Sequence, residues 1–212
     1  MSENKISILR HFGPSIVKIK MPNLMVKILN EYSEKIILDT KKSNELNHGD
    51  NLVGNVKQEF RLEEEIMTTS GLMKLLGNTC KTWLTTTEKK DITSFKILSC
   101  WIVRQFKNEY NPIHSHGGHI SGVGYLKIPK YFGETSQSSK NYNPNGRLTL
   151  MHGAKMFNSP SVLDIIPEVG DFYLFPHYMM HSVYPFNNSD EERRSISFNA
   201  IIDQEIYNVY GK

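Results

Sequence analysis

The sequence predicts a mainly β protein with N-terminal helices, its strands forming an antiparallel sandwich or barrel. Two observations carry this. Up to about residue 93 apolar residues recur at helical spacing, and from about Ser94 they fall into short runs rich in strand formers. Turn residues then separate those runs at modest intervals, as many short antiparallel strands require.

The helical part comes first. Between Pro22 and Lys42 the residues Leu24, Met25, Ile28, Leu29, Tyr32, Ile36 and Ile37 share one helical face, and Pro22 suits a first turn. Residues Asp39 to Gly54 are polar and read as a loop. A second helical region spans about Leu62 to Thr87, where Gly71 and Gly77 argue for two shorter helices. The strands follow: Phe95 to Val103, Ile120 to Ile128, Arg147 to Met151, Val162 to Ile166, Phe172 to Phe175, a strand opened by His181, and Ser195 to Ile202. Asn143 to Gly146, Asn158 to Pro160, Pro167 to Gly170 and Asn187 to Asp190 supply turns, and Asp171 is expected to serve the turn before its strand. The polar stretch Tyr131 to Gly146 reads as a long loop able to cover a site. The expected organisation is one structural unit, with a mostly helical region at 1–93 packed on a β core at 94–212.

Composition bounds the function. With 39% hydrophobic and 22% charged residues among 212, the chain reads as an ordinary soluble globular protein. A net charge of +3 with scattered Lys and Arg gives no indication of a nucleic-acid partner. Cys80 and Cys100 lack metal spacing, which argues against a disulfide framework and for a reducing compartment. Charges interrupt every apolar run of Met1 to Lys20, and no stretch approaches the roughly 20 apolar residues of a membrane span. The expected location is cytoplasmic, that of a host cell if the source is viral. Nothing fixes the oligomeric state, and a homodimer stays open.

The chemistry concentrates in Asn111-Pro112-Ile113-His114-Ser115-His116 and, far downstream, in His181 and Arg193. On a strand, residues i and i+2 share a face, so His114 and His116 can grip one metal ion. A third histidine and an arginine on later strands would complete a metal site with an anion anchor. The period of two also places Arg193, Ser195 and Ser197 on one face and Arg194 on the other, where it is expected to be solvated. His11, His48 and His152 have no supporting pattern. His177 reads as a rim residue, Trp101 as core, and Asn199 as either an inner-face or a ladder-side amide.

The ordered motifs His-x-His, Ser-Gly-x-x-Tyr-Leu (Ser121 to Leu126), Gly-Asp-x-x-x-Phe-Pro (Gly170 to Pro176), His181 and Arg-x-Ser-x-Ser-Phe-Asn (Arg193 to Asn199) resemble the Fe(II)- and 2-oxoglutarate-dependent oxygenase superfamily. The likeness is to the branch common in bacteria and tailed phages, and it covers about Trp101 to Ile202. It implies a double-stranded β-helix, a relative of the jelly roll and cupin folds. It also implies His114, His116 and His181 as ligands of Fe(II). Arg193 and Ser195 would bind the distal carboxylate of 2-oxoglutarate, with Tyr125 as a further hydrogen-bond donor. The departure is His116, where the superfamily usually carries Asp or Glu. That leaves open whether His116 or His119 ligates, and whether the ion is Fe(II) or Zn(II). Strand parity favours His116.

Imidazole suits Fe(II), and three facial ligands leave positions for a bidentate 2-oxo acid and O2. Arginine offers a fork that matches a carboxylate. The leading expectation is therefore a hydroxylating dioxygenase that releases succinate and CO2 from an unidentified prime substrate. Two alternatives remain: a cupin-like three-histidine metalloprotein that does not use 2-oxoglutarate, and a non-catalytic jelly-roll module of a phage or bacterium.

Overall fold

The computed structural model describes residues 13–135, 139, 141–187 and 189–208. His11 and part of the 131–146 loop lie outside them. Among the described residues, ten strands form two antiparallel sheets. These are β1 (Val17–Lys20), β2 (Gln58–Arg61), β3 (Phe95–Gln105), β4 (Asn111–His114), β5 (Ile120–Lys127), β6 (Leu148–Met151), β7 (Val162–Ile165), β8 (Asp171–Pro176), β9 (Met180–Val183) and β10 (Arg193–Ile202). The larger sheet runs β1-β8-β5-β10-β3-β2 and the smaller β4-β9-β6-β7. The expected strands all form, within the usual drift of one or two residues at their ends.

Two strands were not foreseen. β1 and β2 lie in the helical half, each only four residues long, and each extends an edge of the larger sheet. A four-residue strand offers too few residues for a period of two to stand out.

Helix α1 (Asn23–Leu38) buries Met25, Val26, Leu29, Ser33 and Ile36, and Pro22 sits just before it. The loop expected after it is partly helical: α2 (Thr40–Glu45) starts where the Asp39 side chain accepts a hydrogen bond from the Lys42 N–H at 3.0 Å. That is an N-cap signal carried by one residue in a polar stretch. The second helical region divides as expected into α3 (Glu64–Thr69) and α4 (Leu72–Glu88), but only Gly71 divides it. Gly71 adopts φ +79°, which glycine tolerates best, whereas Gly77 continues inside α4 against the Phe95 ring. A last helix, α5 (Gln204–Tyr207), follows β10.

These layers make two cores. The helices pack on the outer face of the larger sheet, where Leu29, Leu72 and Leu76 meet Ile102, Ile196 and Phe198. Burying each such side chain contributes about 1.5–3 kcal/mol. Between the sheets, Val123, Tyr125 and Phe175 meet Leu148, Leu150 and Ile165. Arg194 does point to the outer face, but it is not solvated. It is fully buried, with its guanidinium paired to Glu192 and Glu34, each at 2.7 Å, and to Asn30 Oδ1 at 3.0 Å. A buried guanidinium needs such partners, and α1 provides two of them. Asp171 likewise does more than serve a turn. Buried at the start of β8, it binds Lys18 at 2.7 Å and Lys20 at 2.8 Å, tying β1 to the sheet.

No described helix is long and apolar enough to cross a membrane. Cys80 and Cys100 are buried free thiols, and burial pushes the Cys80 thiol up to about 12.

Candidate active site

The two sheets leave a cavity of about 450 Å3 between them. β4 and β9 pair so that His114 and His181 stand directly opposite each other, which puts both rings on one face with centroids 4.2 Å apart. His116 lies two residues beyond the end of β4, so strand geometry alone does not aim it. Backbone bonds hold it there: its N–H donates to the His177 carbonyl at 3.1 Å, and its own carbonyl accepts from His177 Nδ1 at 2.8 Å. The edge of Trp101 closes on the His116 ring at 5.7 Å.

One ring nitrogen from each of His114, His116 and His181 lies within 4.8 Å of the other two, the only such cluster among the described residues. His114 Nδ1–H donates to the Pro112 carbonyl at 2.7 Å, and His181 Nδ1–H donates to the Met179 carbonyl at 2.9 Å. Both bonds fix a tautomer whose Nε2 carries a free lone pair. His116 Nε2 and His181 Nε2 are 3.1 Å apart. Two nitrogens held at right angles about 2.1 Å from one ion would be separated by about 3 Å, so the cluster fits a metal ion. Burial, and then the neighbouring imidazoles, push His116 down to about 3, and burial with His114 pushes His181 down to about 4. Neutral imidazole is the form that binds metal.

His119 is elsewhere. Its Nδ1 accepts the Ile202 N–H at 3.1 Å and its ring stacks on Tyr207 at 3.7 Å. His177 donates or accepts at Tyr207 Oη and is not in the cluster. Of the histidines without a pattern, His152 is exposed, while His48 lines the cavity wall near Trp101.

Arg193, Ser195 and Tyr125 come together on the inner face of the larger sheet. Ser195 pairs with Tyr125 across β10 and β5, and the Arg193 guanidinium lies over the Tyr125 ring at 5.1 Å. All three are buried. Arg193 Nη1 donates to Gln105 Oε1 at 2.9 Å, while its Nε and Nη2 have no partner. The Tyr125 hydroxyl makes no well-aligned hydrogen bond either, although it lies close enough to Arg193 for the two groups to interact. Burial pushes that phenol up to about 12. A buried guanidinium with two unpartnered nitrogens beside a phenol has the donors that a carboxylate needs, so the residues fit 2-oxoglutarate as well as metal. Asn199 satisfies both earlier options, lining the cavity while accepting from Ser121 Oγ at 2.8 Å. Trp101 is buried as expected, yet it also forms cavity wall.

Sequence reasoning missed Gln105 and Glu59. Gln105 faces Arg193 in the β10–β3 register, a long-range pairing that no local pattern announces. Glu59 lies on β2, a strand too short to recognise; burial and then Glu109 push its carboxyl up to about 7.

Residues 99–199 match the family model described as "Putative 2OG-Fe(II) oxygenase". No curated protein sequence matches the chain. Among solved structures, the chain is similar to a Pseudomonas putida prolyl-4-hydroxylase, with TM-score 0.57 and 14% identity over 90% of this chain and 92% of that one. It is similar to the viral collagen prolyl hydroxylase of Paramecium Bursaria Chlorella virus-1, solved with 2-oxoglutarate, with TM-score 0.53 and 12% identity over 87% and 94%. It is also similar to HygX from Streptomyces hygroscopicus, solved with nickel, 2-oxoglutarate and hygromycin B, with TM-score 0.57 and 12% identity over 88% and 82%. At these identities the likeness shows the fold, a double-stranded β-helix. The family match brackets both the histidine cluster and the Arg193 strand, so residues 99–199 are similar to the 2-oxoglutarate/Fe(II) oxygenases, enzymes that use Fe(II), 2-oxoglutarate and O2.

Proposed function

We propose that the chain is a hydroxylase in which His114, His116 and His181 hold Fe(II) and Arg193, Ser195 and Tyr125 hold the distal carboxylate of 2-oxoglutarate. The observation that carries this reading is Arg193: it is buried, with two unpartnered nitrogens, in the cavity that also contains the histidine cluster. Leaving such a group unpaired costs about 1–3 kcal/mol or more, and a carboxylate removes that cost. When bound, Fe(II) with 2-oxoglutarate and O2 supplies oxidation of a substrate C–H bond, with succinate and CO2 as co-products.

The residues bind, orient and exclude water. The Pro112 and Met179 carbonyls aim two imidazoles; Trp101 and the His177 backbone hold the third. Gln105 fixes the plane of Arg193, so its free edge faces the cavity. Ser195 and Tyr125 add hydroxyl donors on the same wall. The three neutral histidines carry no charge to offset the metal's, so the bound ion keeps more of its positive charge than with a carboxylate ligand.

The test is succinate formation from 2-oxoglutarate with Fe(II) in air, together with anaerobic binding of 2-oxoglutarate, in wild type, Arg193→Ala and His181→Ala. We expect metal-dependent binding in wild type, weakened by Arg193→Ala and lost in His181→Ala. Absence of metal-dependent binding in wild type would overturn the reading and favour a cupin-like or non-catalytic protein.

A further inference from the structure

The cavity has a second polar end that the cofactors do not explain. Tyr125 pairs with Ser195, Ser195 with Val103, and Val103 with Glu59, one row across the inner face of the larger sheet. Two strand spacings of about 4.8 Å put Glu59 roughly 10 Å from Ser195, beyond the reach of the carboxylate anchor. Glu59 is only 3% exposed, lines the cavity, and has no hydrogen-bond partner at Oε2 among the described residues. Asn111 Oδ1, contributed by β4 to the same cavity, is also buried and unpartnered. Gly54 leaves that oxygen its space, because a Cβ there would collide with it.

Asn111 Oδ1 is an acceptor, and so is Glu59 Oε2 when the carboxyl is ionised, so a ligand that satisfies both in that form must donate. A neutral donor would satisfy the hydrogen bonds but leave a buried carboxylate without countercharge. A protonated nitrogen supplies both. The indole of Trp101 and the ring of His48 line the same cavity, and aromatic walls add attraction for a cation. Burial and Glu109 hold the empty carboxyl near 7, so its charge is costly until a cation arrives.

Resting on the oxygenase reading above, we propose that the prime substrate carries a protonated nitrogen, ammonium or guanidinium, which Glu59 binds with Asn111 assisting from the facing sheet. The cofactor end of the cavity is cationic through Arg193 and the substrate end anionic through Glu59, so the two ligands are sorted by charge. The cavity volume of about 450 Å3 suits a small molecule or a single side chain.

The experiment titrates agmatine, n-pentylamine, n-pentanol and pentanoate into protein loaded with Fe(II) and 2-oxoglutarate under argon, in wild type and Glu59→Gln. The expected result is that the two cations bind about tenfold or more tightly than pentanol and pentanoate, and that Glu59→Gln removes the difference. Equal binding of all four probes to wild type, or a preference for cations that survives Glu59→Gln, overturns the proposal. Should Glu59→Gln not fold, Glu59→Met, which keeps the side-chain length without the charge, takes its place in the same comparison. Binding of 2-oxoglutarate is measured alongside and is expected to be the same in both proteins. If it binds and the probes are not discriminated, the substrate inference alone falls. If it does not bind to wild type, the oxygenase reading falls and the proposal with it.

Discussion

Gln105 Oε1 accepts a hydrogen bond from Arg193 Nη1 at 2.9 Å, across the β3–β10 register. The amide cannot turn over, because its Nε2 donates to the Glu109 carbonyl at 2.5 Å and to the Tyr184 carbonyl at 3.2 Å. Three elements thus fix one guanidinium: β3 through Gln105, the turn at Glu109 and the segment after β9. The arginine is preorganised, and a carboxylate meeting it pays little ordering entropy.

Gln105→Leu removes that orientation while leaving every metal ligand in place. The Kd for 2-oxoglutarate, measured by anaerobic titration with Fe(II), is expected to rise about tenfold. In turnover the KM for 2-oxoglutarate should rise with kcat little changed, which is the signature of lost binding rather than lost chemistry. Gln105→Glu should weaken binding further, since its carboxylate would occupy Arg193. A kcat that falls as far as the KM rises would show a broader role for Gln105.

The third ligand is tested by comparing His116→Ala with His119→Ala. Anaerobic Fe(II) binding should weaken by about 100-fold or more in His116→Ala, because a two-imidazole site lacks the third donor. His119 stacks on Tyr207 away from the cluster, so His119→Ala should leave metal affinity within about twofold. The reverse result would assign the site to His119.

How much of this was legible in the sequence depends on the range of the interaction. His114 and His181 were readable because ligand chemistry is restricted to few residue types and both sit at strand ends. The period of two along β10 put Arg193 and Ser195 on one face and Arg194 on the other, while the role of the first two came from the family resemblance. The burial of Arg194 did not follow, because burial depends on α1 lying over that face with Asn30 and Glu34. Gln105 and Glu59 belong to the same category: each matters through a cross-strand partner, and register between distant strands is not written locally. His116 was assigned to the cluster for a partly wrong reason, since β4 ends at His114 and backbone bonds to His177 aim the ring.

Glu192 anchors the outer face, where it receives Arg194 at 2.7 Å and Arg104 at 2.8 Å and is 5% exposed. Burial alone would raise its carboxyl, but hydrogen bonds from Arg194 and Arg104 outweigh burial and hold it below the usual range. A depressed carboxyl stabilises the fold above its unfolded pKa, and that stability is lost as pH falls through the folded value. Glu192→Gln leaves two buried guanidinium groups short of a charge and should cost about 3 kcal/mol at neutral pH. The deficit relative to wild type should shrink as the pH is lowered through the carboxylate range, where wild type loses the same interaction. Urea unfolding at a series of pH values from 7 down through the carboxylate range measures both; a deficit that never shrinks along the series would mean that the pair contributes through packing alone.

Gly124 separates the fold's stability from the site's chemistry. It lies on β5 beside Tyr125, but on the opposite face, where an ideal Cβ would come 2.8 Å from Phe172 Cε2 and 2.9 Å from its Cγ. Phe172 is fully buried and its ring packs on Phe198 at 5.8 Å, so it has little room to retreat. Gly124→Ala therefore overpacks the helix-side core, at a cost of about 1–3 kcal/mol. For a chain of this length that lowers Tm by about 3–10 °C. Tyr125 and Arg193 belong to the inner face, on the far side of the sheet from the clash, so the Kd for 2-oxoglutarate should change by less than about threefold. A large loss of 2-oxoglutarate binding in protein that still melts cooperatively would instead mean that the backbone of β5 shifts and carries the Tyr125 hydroxyl out of position.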